Sequence, residues 1–496
     1  MRENVAVIDI GSNSIRMSIM QVGEGHSYRM ICQMKEALRL SAQLNEDGVL
    51  PPEAVRRTIQ IMRAFRRQIR LHGVKRVRAV ATAALRRAEN RAAVVEEIQR
   101  ETEIHVEIIS GEMEAFYDYL GVVYSVPLED FVLIDTGGGS TEIVLVEQRK
   151  MTARISIPYG AVVLGKMFGE NHAKMKRFLR QKLQELPFLQ QCKGLPVVGL
   201  GGSIRALGKA HCFHRHCPLV SINEYPLSRS EAEEIYQQLC QLPPAKRERV
   251  YAVSGSRRDI IVSGLAPLMA LLEETGAQNI VISGNGVREG IFFELCIPFQ
   301  ADMHVLRSSV ENSMRLYGLG QDYAASLYEE ACILANPYPA LAPYGHVLYA
   351  ACMLSELGKQ IDYYNHSRHT FFVITGLPIY GLSPAERVMC ACVAATLGKT
   401  AARGVYAKFH LLLSKKQAEG ARQLSTVVRV ASTLLFYGFH CCRLSFNPNK
   451  QKLYLTVQAQ QEGIVLPDAA RMSLQKCWRE TFGVKCKIQI ENSAAE

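Results

Sequence analysis

The sequence predicts an α/β protein in which one strand–glycine unit occurs twice. Two segments carry this prediction, residues 5–14 (VAVIDIGSNS) and residues 131–142 (FVLIDTGGGSTE). Each is an apolar, β-rich run that ends in an aspartate and continues into glycine and hydroxyl or amide residues. The two aspartates, Asp9 and Asp135, stand 126 positions apart. One such turn is common, but two in the same context indicate a duplicated fold whose halves grip one phosphate chain.

The residue types in these two turns suit phosphate chemistry. A carboxylate at a strand end offers hard oxygen ligands to Mg²⁺ or its waters, so Asp9 and Asp135 are candidate metal-binding residues. The alternative for either aspartate is a turn-capping role. Glycines let successive backbone N–H groups face a phosphate oxygen with no Cβ in the way. The predicted phosphate-binding residues are Gly11, Ser12, Asn13, Ser14, Gly137, Gly138, Gly139 and Ser140.

The elements around the first turn follow from apolar periodicity and turn residues. Two prolines, Pro51 and Pro52, open a helix whose apolar positions share one face and which ends at Gly73. A second helix is expected at about 91–102. The predicted strands are 5–10, 15–22, about 30–44, 77–81 and 106–109, and residues 110–115 are predicted to be a loop.

The second turn begins a similar succession of strands and helices. The predicted strands are 131–134, 142–146, 151–157, 196–200 and 279–283. The strand at 196–200 runs into a further glycine turn, and its residues Gly201, Gly202 and Ser203 are expected to line the next stretch of the phosphate path. The segment 211–217 (HCFHRHC) is predicted to be a basic, His-rich loop, because its spacing matches no standard zinc pattern. Strands with ligand loops at their ends and helices between them indicate α/β layering.

A boundary is expected near residues 296–300. Beyond it the sequence predicts long helical runs over 305–360 and 383–437, a strand at 452–458 and a short terminal α/β piece. The predicted domains are 1–125, 126–300, 301–440 and 441–496.

Composition places the chain among globular proteins with a basic surface. Its 496 residues are 48% hydrophobic and carry a net charge of +11. Residues 1–300 contain 38 Lys and Arg against 33 Asp and Glu, and the shorter remainder contains 20 against 14. Such a field attracts polyanions, although a basic surface that is merely soluble has the same composition. Because no apolar stretch reaches membrane-spanning length and no signal peptide precedes the first strand, we expect a cytoplasmic protein with no membrane partner.

Six ordered segments resemble the exopolyphosphatase and guanosine pentaphosphate phosphatase family, within the actin and sugar-kinase fold group. In chain order they are 9–14 (DIGSNS), 81–86 (ATAALR), 109–115 (ISGEMEA), 135–142 (DTGGGSTE), 199–205 (GLGGSIR) and 283–290 (SGNGVREG). The resemblance implies two duplicated ribonuclease H-like (actin-like ATPase) lobes. It implies further that residues 301–440 form the helical HD-like domain of the family's longer members, through segments 354–358 and 363–369, with a small α/β piece after it.

The resemblance also assigns roles. Glu114 matches the family's catalytic glutamate, which orients and deprotonates the attacking water, and Arg86 matches a phosphate-contacting arginine. Without the family match, Glu114 could not be separated from its neighbour Glu112. Glu142 joins Asp9 and Asp135 as a Mg²⁺ ligand, directly or through water. A homodimer is expected by the same resemblance, with no specific binding to nucleic acid.

Several positions depart from the family pattern. Phe116 and Val163 stand where family members commonly carry arginine, which removes two expected phosphate contacts. In the HD-like part, Ser355 and Glu356 replace the His-Asp pair that metal chemistry needs, and no distal Asp occurs in 429–433. His346, His366 and His369 are therefore predicted to be structural or to contact polyanions.

The favoured function is a Mg²⁺-dependent exopolyphosphatase that releases orthophosphate from the end of inorganic polyphosphate. The polymer is expected to lie between the two α/β lobes and to extend over the basic helical part, an arrangement that favours processive cleavage. The nearest alternative is hydrolysis of guanosine pentaphosphate (pppGpp) at the same site, with guanosine penta- or tetraphosphate as the ligand. A non-catalytic polyphosphate or alarmone sensor and an ATP-dependent kinase are further alternatives, the first supported by the missing arginines.

Overall fold

A computed structural model of the chain describes residues 2–218, 221–251, 253–298, 303–447, 452–461 and 463–491. The chain divides into two compact units, Met1–Val305 and Leu306–Glu496. The first unit holds two sheets, each at the centre of its own lobe, and the second unit is mainly helical. None of the described helices is both long enough and apolar enough to cross a membrane.

The first lobe is built around a five-stranded sheet in the order β3-β2-β1-β4-β5. Its elements are β1 (Glu3–Ile10), β2 (Ser14–Val22), β3 (Tyr28–Ala37), α1 (Leu40–Gln43), α2 (Pro52–Leu71), β4 (Arg76–Ala81), α3 (Ala83–Arg86), α4 (Arg91–Thr102), β5 (Val106–Ile108) and α5 (Gly111–Val123). Strand β1 pairs antiparallel with β2 and parallel with β4. Because both faces of β1 are covered, its apolar run is almost continuous, and Val5 to Ile8 are fully buried.

The second lobe is built around a six-stranded sheet in the order β10-β11-β9-β6-β7-β8. Its elements are β6 (Phe131–Thr136), β7 (Thr141–Glu147), β8 (Lys150–Ile157), α6 (Ala161–Phe168), α7 (His172–Gln184), β9 (Val197–Leu200), α8 (Gly201–His214), β10 (Tyr225–Ser228), α9 (Arg229–Gln241), α10 (Pro244–Tyr251), α11 (Ile261–Thr275), β11 (Asn279–Ile282) and α12 (Val287–Cys296). Helix α11 is buried along most of its length and packs against α6 and α7.

The two lobes share one topology. In each, three antiparallel strands (β1–β3, β6–β8) are followed by two strands that continue the sheet in parallel from the first of them. The turns after β1 and β6 also close alike: the Gly11 N–H donates to the Ser14 carbonyl at 3.2 Å, and the Gly137 N–H donates to the Ser140 carbonyl at 3.0 Å. The predicted α/β class with two duplicated lobes is confirmed.

The second unit begins with helices and ends with a small sheet. Its elements are α13 (Val305–Tyr317), α14 (Gln321–Ala335), α15 (Gly345–Met353), α16 (His366–Gly376), α17 (Pro384–Ala394), α18 (Lys399–Phe409), α19 (Lys415–Phe436), β12 (Phe439–Asn447), β13 (Lys452–Ala459), α20 (Asp468–Phe482) and β14 (Lys485–Glu491). The three strands pair in the order β12-β13-β14. A helical C-terminal region was predicted and is confirmed; its HD-like character stays a prediction.

Four local predictions were wrong. Residues 40–43 form α1 rather than the end of a strand, because Arg39 adopts a left-handed conformation (φ 53°) that turns the chain. Residues 111–115 begin α5 rather than a loop, since the Ser110 hydroxyl accepts a hydrogen bond from the Met113 N–H and caps the helix. Residues 201–203 are the first turn of α8, and residues 211–214 are its last.

Candidate active site

The carboxyl ends of β1 and β6 open into a cleft between the two lobes of the first unit. The space inside this cleft is about 110 Å³. Helices α8 and α12 start at its wall, so their first-turn N–H groups, which have no partner within the helix, are available to anions there. Of the residues predicted from sequence, all but Arg86 and Glu142 line this cleft: Asp9, Gly11, Ser12, Asn13, Ser14, Glu114, Asp135, Gly137, Gly138, Gly139, Ser140, Gly201, Gly202 and Ser203.

The two glycine turns touch each other across the cleft. A Cβ placed on Gly138 would lie 2.9 Å from the Cβ of Ser12, and one placed on Gly139 would lie 2.8 Å from the Ser12 hydroxyl. Helix α6 supports the second turn from behind, because its N-terminal Ala161 N–H donates to the Gly137 carbonyl at 2.9 Å. Glycine is therefore required here for close approach, which leaves the turn N–H groups accessible to a ligand. The buried Ser12 hydroxyl has no hydrogen-bond partner among the described residues and can serve as a further donor.

Glu114 lies in the first turn of α5 and is held by Arg86. The Arg86 guanidinium donates to the Glu114 carboxylate at 3.2 Å and to the Ile109 carbonyl at 2.9 Å. Arg86 ends the short helix α3, so the pair joins α3 to the start of α5. Arg86 itself is not among the residues that line the cleft. The role of either side chain in catalysis stays a prediction.

Five carboxylates cluster at the cleft, and three of them, Asp9, Glu114 and Asp135, line it directly. Burial raises the pKa of Glu114 well above its ordinary range, and the neighbouring Glu142 raises it further, against the opposing effect of Arg86. Burial, followed by the nearby Asp135 carboxylate, raises the pKa of Glu142 to about 7. Burial also raises the pKa of Asp9, Asp135 and Asp118. Mutual repulsion among crowded carboxylates raises their pKa values, and a bound cation would relieve that repulsion.

Four arginines that the sequence analysis did not select also line the cleft. They are Arg16 on β2, Arg205 on α8, Arg257 before α11 and Arg288 on α12. Burial, followed by repulsion from Arg205, lowers the pKa of Arg16 and of Arg257 to about 10. Asp9 is influenced by Arg16 and Arg288, and Asp135 by Arg205 and Arg16, so these two aspartates lie between the acids and the arginines.

Three of these arginines make a side-chain hydrogen bond beside the cleft, and Arg288 also lies 3.6 Å from the Glu289 carboxylate. Arg16 donates to the Ser14 hydroxyl at 3.0 Å, and Arg205 donates to the Gly284 carbonyl at 3.1 Å. Arg288 donates to the Ser18 hydroxyl at 3.0 Å. The Arg257 guanidinium lies against Gly202, in the space that a Cβ on that glycine would need. Guanidinium groups suit phosphate because their N–H groups fork, so this wall can bind phosphates beyond the first.

The acid cluster fits a hydrated magnesium ion better than a directly coordinated metal. Across the described ranges, no three His, Cys, Asp or Glu side chains are arranged to hold a metal ion directly. Oxygen Oδ1 of Asp135 is buried without a hydrogen-bond partner, and Glu142 accepts from the Ser156 hydroxyl at 2.7 Å. Hard carboxylate oxygens, one of them orphaned, match an ion that usually keeps several of its waters.

Two of the histidines in the two His-bearing segments contact neighbouring polar side chains. His211 is buried and Nδ1 lies 2.8 Å from the Tyr225 hydroxyl, which ties the end of α8 to β10. In the second unit, His346 Nε2 lies 2.9 Å from the Glu386 carboxylate. His366 and His369 lie on α16, and the Ser355 hydroxyl donates to the Cys352 carbonyl at 2.9 Å. The structural role predicted for these histidines remains a prediction.

Comparison with known proteins relates the part of the chain that forms this cleft to one family. The sequence profile of the Ppx/GppA phosphatase family matches residues 18–297. The crystal structure of the Aquifex aeolicus member of the Ppx/GppA protein family is 30% identical, with a TM-score of 0.52, and the match covers 60% of this chain and 98% of that one. An exopolyphosphatase from Cytophaga hutchinsonii, 22% identical over 61% of this chain and 100% of that one (TM-score 0.56), shares the fold. Because the profile covers more than half of the sequence, the chain belongs to the Ppx/GppA phosphatase family.

Proposed function

We propose that this protein is a Mg²⁺-dependent exopolyphosphatase that removes orthophosphate from the end of inorganic polyphosphate. The observation that carries the proposal is the set of groups that line one cleft. Glu114, Asp9 and Asp135, the two glycine turns and the four arginines all line it. A linear polyanion with its last phosphate at Glu114 would meet donors along its length.

The glycine turns are proposed to hold the terminal phosphate. The turns at 11–14 and 137–140 are in contact through Ser12. Their N–H groups, other than those of Gly11 and Gly137 that close the turns, would bind different oxygens of one phosphoryl group. The first turn of α8, at Gly201, Gly202 and Ser203, would bind the next phosphate, where the helix N-terminus favours negative charge. Binding from both lobes fixes the phosphorus relative to Glu114, which is the main requirement of a loose phosphoryl-transfer transition state.

Glu114 is proposed to orient the attacking water in line with the bridging oxygen. The water oxygen bonds to the terminal phosphorus as the bridging P–O bond breaks, and its proton passes to the Glu114 carboxylate. The shortened chain leaves with the bridging oxygen, and orthophosphate is released. Arg86 keeps the carboxylate in place through the 3.2 Å hydrogen bond, and the raised pKa of Glu114 suits it to accept a proton near neutral pH.

Asp9, Asp135 and Glu142 are proposed to hold Mg²⁺ through its water shell. The ion would supply charge neutralisation for the phosphoryl oxygens. The carboxylates on their own repel a polyanion, so an enzyme freed of divalent cations should neither bind nor cleave the polymer. Repulsion among these side chains is the physical reason for expecting strict metal dependence.

The composition of the cleft favours a polymer over a nucleotide. Among the described residues that line it, none has an aromatic side chain. A guanine base would therefore find no ring on which to stack, whereas phosphates find glycine N–H groups and four arginines. The alternative substrate, pppGpp, uses the same catalytic groups and differs only in what lies beyond the cleaved phosphate.

The test is a direct competition between the two substrates. Orthophosphate release from long-chain polyphosphate and from pppGpp is measured with saturating Mg²⁺ and again with EDTA, and kcat/KM is compared. The proposal predicts a higher kcat/KM for the polymer and no release in EDTA. Release from pppGpp alone would move the function to nucleotide hydrolysis while keeping the site. No release from either substrate would refute the proposed hydrolase activity.

A further inference from the structure

Asp118 is a buried carboxylate beside the site to which neither the sequence nor the proposed mechanism gives a role. It lies on α5, four residues after Glu114. We propose that Asp118 is a positioning residue of the cation-binding face, whose carboxylate helps to hold the hydrated divalent cation of this site. This inference rests on the proposed function and extends it to a residue outside the cleft wall.

Helix geometry and packing fix where the Asp118 side chain lies. Residues four apart share a helix face, so Asp118 follows Glu114 along the side of α5 that faces the acid cluster. Helix α5 packs closely against the start of α12, since a Cβ on Gly121 would lie 2.6 Å from the Gly286 carbonyl oxygen. Oxygen Oδ1 of Asp118 is 3.2 Å from the position of a Cβ on Gly286, a residue of the cleft wall. The carboxylate therefore sits directly behind the cleft.

The Asp118 carboxylate has no partner that would account for its burial. It is 0% exposed, and neither of its oxygens accepts a hydrogen bond from any residue that the structure describes. A buried carboxylate normally has a cation or several donors around it, because leaving it without either is costly. Two orphaned oxygens beside a carboxylate cluster indicate a missing positive group.

The surroundings of Asp118 favour a cation over an anion. Burial raises the pKa of Asp118, and the carboxylates of Asp135, Glu142 and Glu114 raise it further, in that order. Arg205 is the neighbouring cation: the carboxylates of both Asp135 and Asp118 raise its pKa. A divalent ion with its waters, placed among these acids, would satisfy the Asp118 oxygens and relieve their mutual repulsion together.

A purely structural role is the competing explanation. In that case Asp118 is a protonated spacer between α5 and α12, and the affinity for a cation does not depend on it. The conservative substitution Asp118→Asn separates the two roles, because asparagine keeps the shape and the capacity to hydrogen-bond but cannot carry the charge. Glu112→Gln is the matched control, since it removes one carboxylate from the same helix at an exposed position.

The experiment measures cation binding on the full chain without substrate. Mn²⁺ is titrated into wild-type protein, D118N and E112Q, with the free ion followed by electron paramagnetic resonance, and the Mg²⁺-induced rise in melting temperature is measured in parallel. The proposal predicts that D118N binds Mn²⁺ about 10- to 100-fold more weakly and shows a smaller Mg²⁺-induced rise, while E112Q matches wild type. If D118N does not fold, Asp118→Ala takes its place.

The outcomes separate this inference from the proposed function. Equal Mn²⁺ affinity of folded D118N and wild type would overturn the role of Asp118 and leave the exopolyphosphatase proposal intact. Equal weakening in E112Q would also overturn it, because the effect would then be general electrostatics. Absence of divalent-cation binding by wild-type protein would refute the metal dependence in the proposed function, and this inference with it.

Discussion

Replacement of Glu114 by glutamine is expected to inactivate the protein and, in the absence of divalent cations, to stabilise it. Glu114 is only 8% exposed, and its carboxylate is opposed by those of Glu142, Asp9 and Asp135 but neutralised by Arg86 alone. Glutamine keeps an oxygen that can accept the hydrogen bond from Arg86. It also removes one carboxylate from a cluster whose members repel one another. The free energy of unfolding should therefore rise, while the rate of hydrolysis falls.

The magnitudes follow from the contacts. Loss of a positioned general base costs about 10²- to 10⁴-fold in rate, or about 3–5 kcal/mol in the activation free energy. Replacing the charged acceptor of Arg86 by a neutral one costs about 1 kcal/mol of stability. Relief of burial and like-charge repulsion acts in the opposite direction and is larger at neutral pH. Because the folded-state pKa of Glu114 is raised above its ordinary 4.5, this destabilisation of wild type is absent below pH 4.5 and grows as pH rises.

Two assays on the same preparations check this prediction. Orthophosphate release from polyphosphate is measured with Mg²⁺, and melting temperatures are measured in EDTA from pH 5 to pH 8, with Glu112→Gln as the exposed control. The expected result is an inactive E114Q whose melting temperature exceeds that of wild type by a margin that widens with pH. A melting temperature below that of wild type at pH 8 would show that Glu114 is not repelled by its neighbours. Full activity of E114Q would remove it from the mechanism.

Three further predictions concern neighbouring parts of the same unit. In EDTA, wild type should lose stability as pH rises from 4.5 to about 7, because burial raises the folded pKa of Glu142 to about 7. Glu142→Gln should show a smaller loss over the same range; identical pH profiles of the unfolding free energy in urea would contradict this. Gly160→Ala should lower kcat/KM about 100-fold, since its Cβ would meet the backbone of the turn at 138–140 at 2.5–2.6 Å. Gly165→Ala should match wild type, because the nearest atom to its Cβ is the Ser263 hydroxyl oxygen at an ordinary contact distance of 3.5 Å; equal activities of the two variants would show that the turn adjusts. Arg39→Met should cost less than about 1 kcal/mol of unfolding free energy, because the 2.7 Å pair with Asp259 is about two-fifths exposed; a larger loss in urea unfolding would mean that this pair holds the lobes together.

The parts of the site that could be predicted from sequence are those encoded within a few consecutive residues. The turns after β1 and β6 were visible because an apolar run, an aspartate and glycines stand next to one another at 9–14 and 135–140. The structure brings both turns to one cleft, in contact through Ser12 and Gly139. Glu114 and Arg86 were assigned through family resemblance, since Glu112 is chemically identical in isolation.

The remaining parts of the site depend on contacts between distant residues. Arg16, Arg205, Arg257 and Arg288 come from four separate segments and meet only after the lobes fold, so no local pattern joins them. Two of them, Arg205 and Arg288, lie in segments that were already matched to the family, 199–205 and 283–290, which was a usable signal. No sequence signal pointed to Asp118, because α5 is buried almost all round and has no polar face that would single out one aspartate.

Product analysis on long-chain polyphosphate tests the central claim most directly. Wild-type protein is incubated with end-labelled polymer and Mg²⁺, and the products are resolved by chain length from the first turnovers onward. Cleavage of the terminal phosphate alone, beside Glu114, predicts that orthophosphate is the only small product and that it carries the terminal label. Label that appears in fragments of intermediate length, or polymer that stays intact while pppGpp loses its terminal phosphate, would contradict the account.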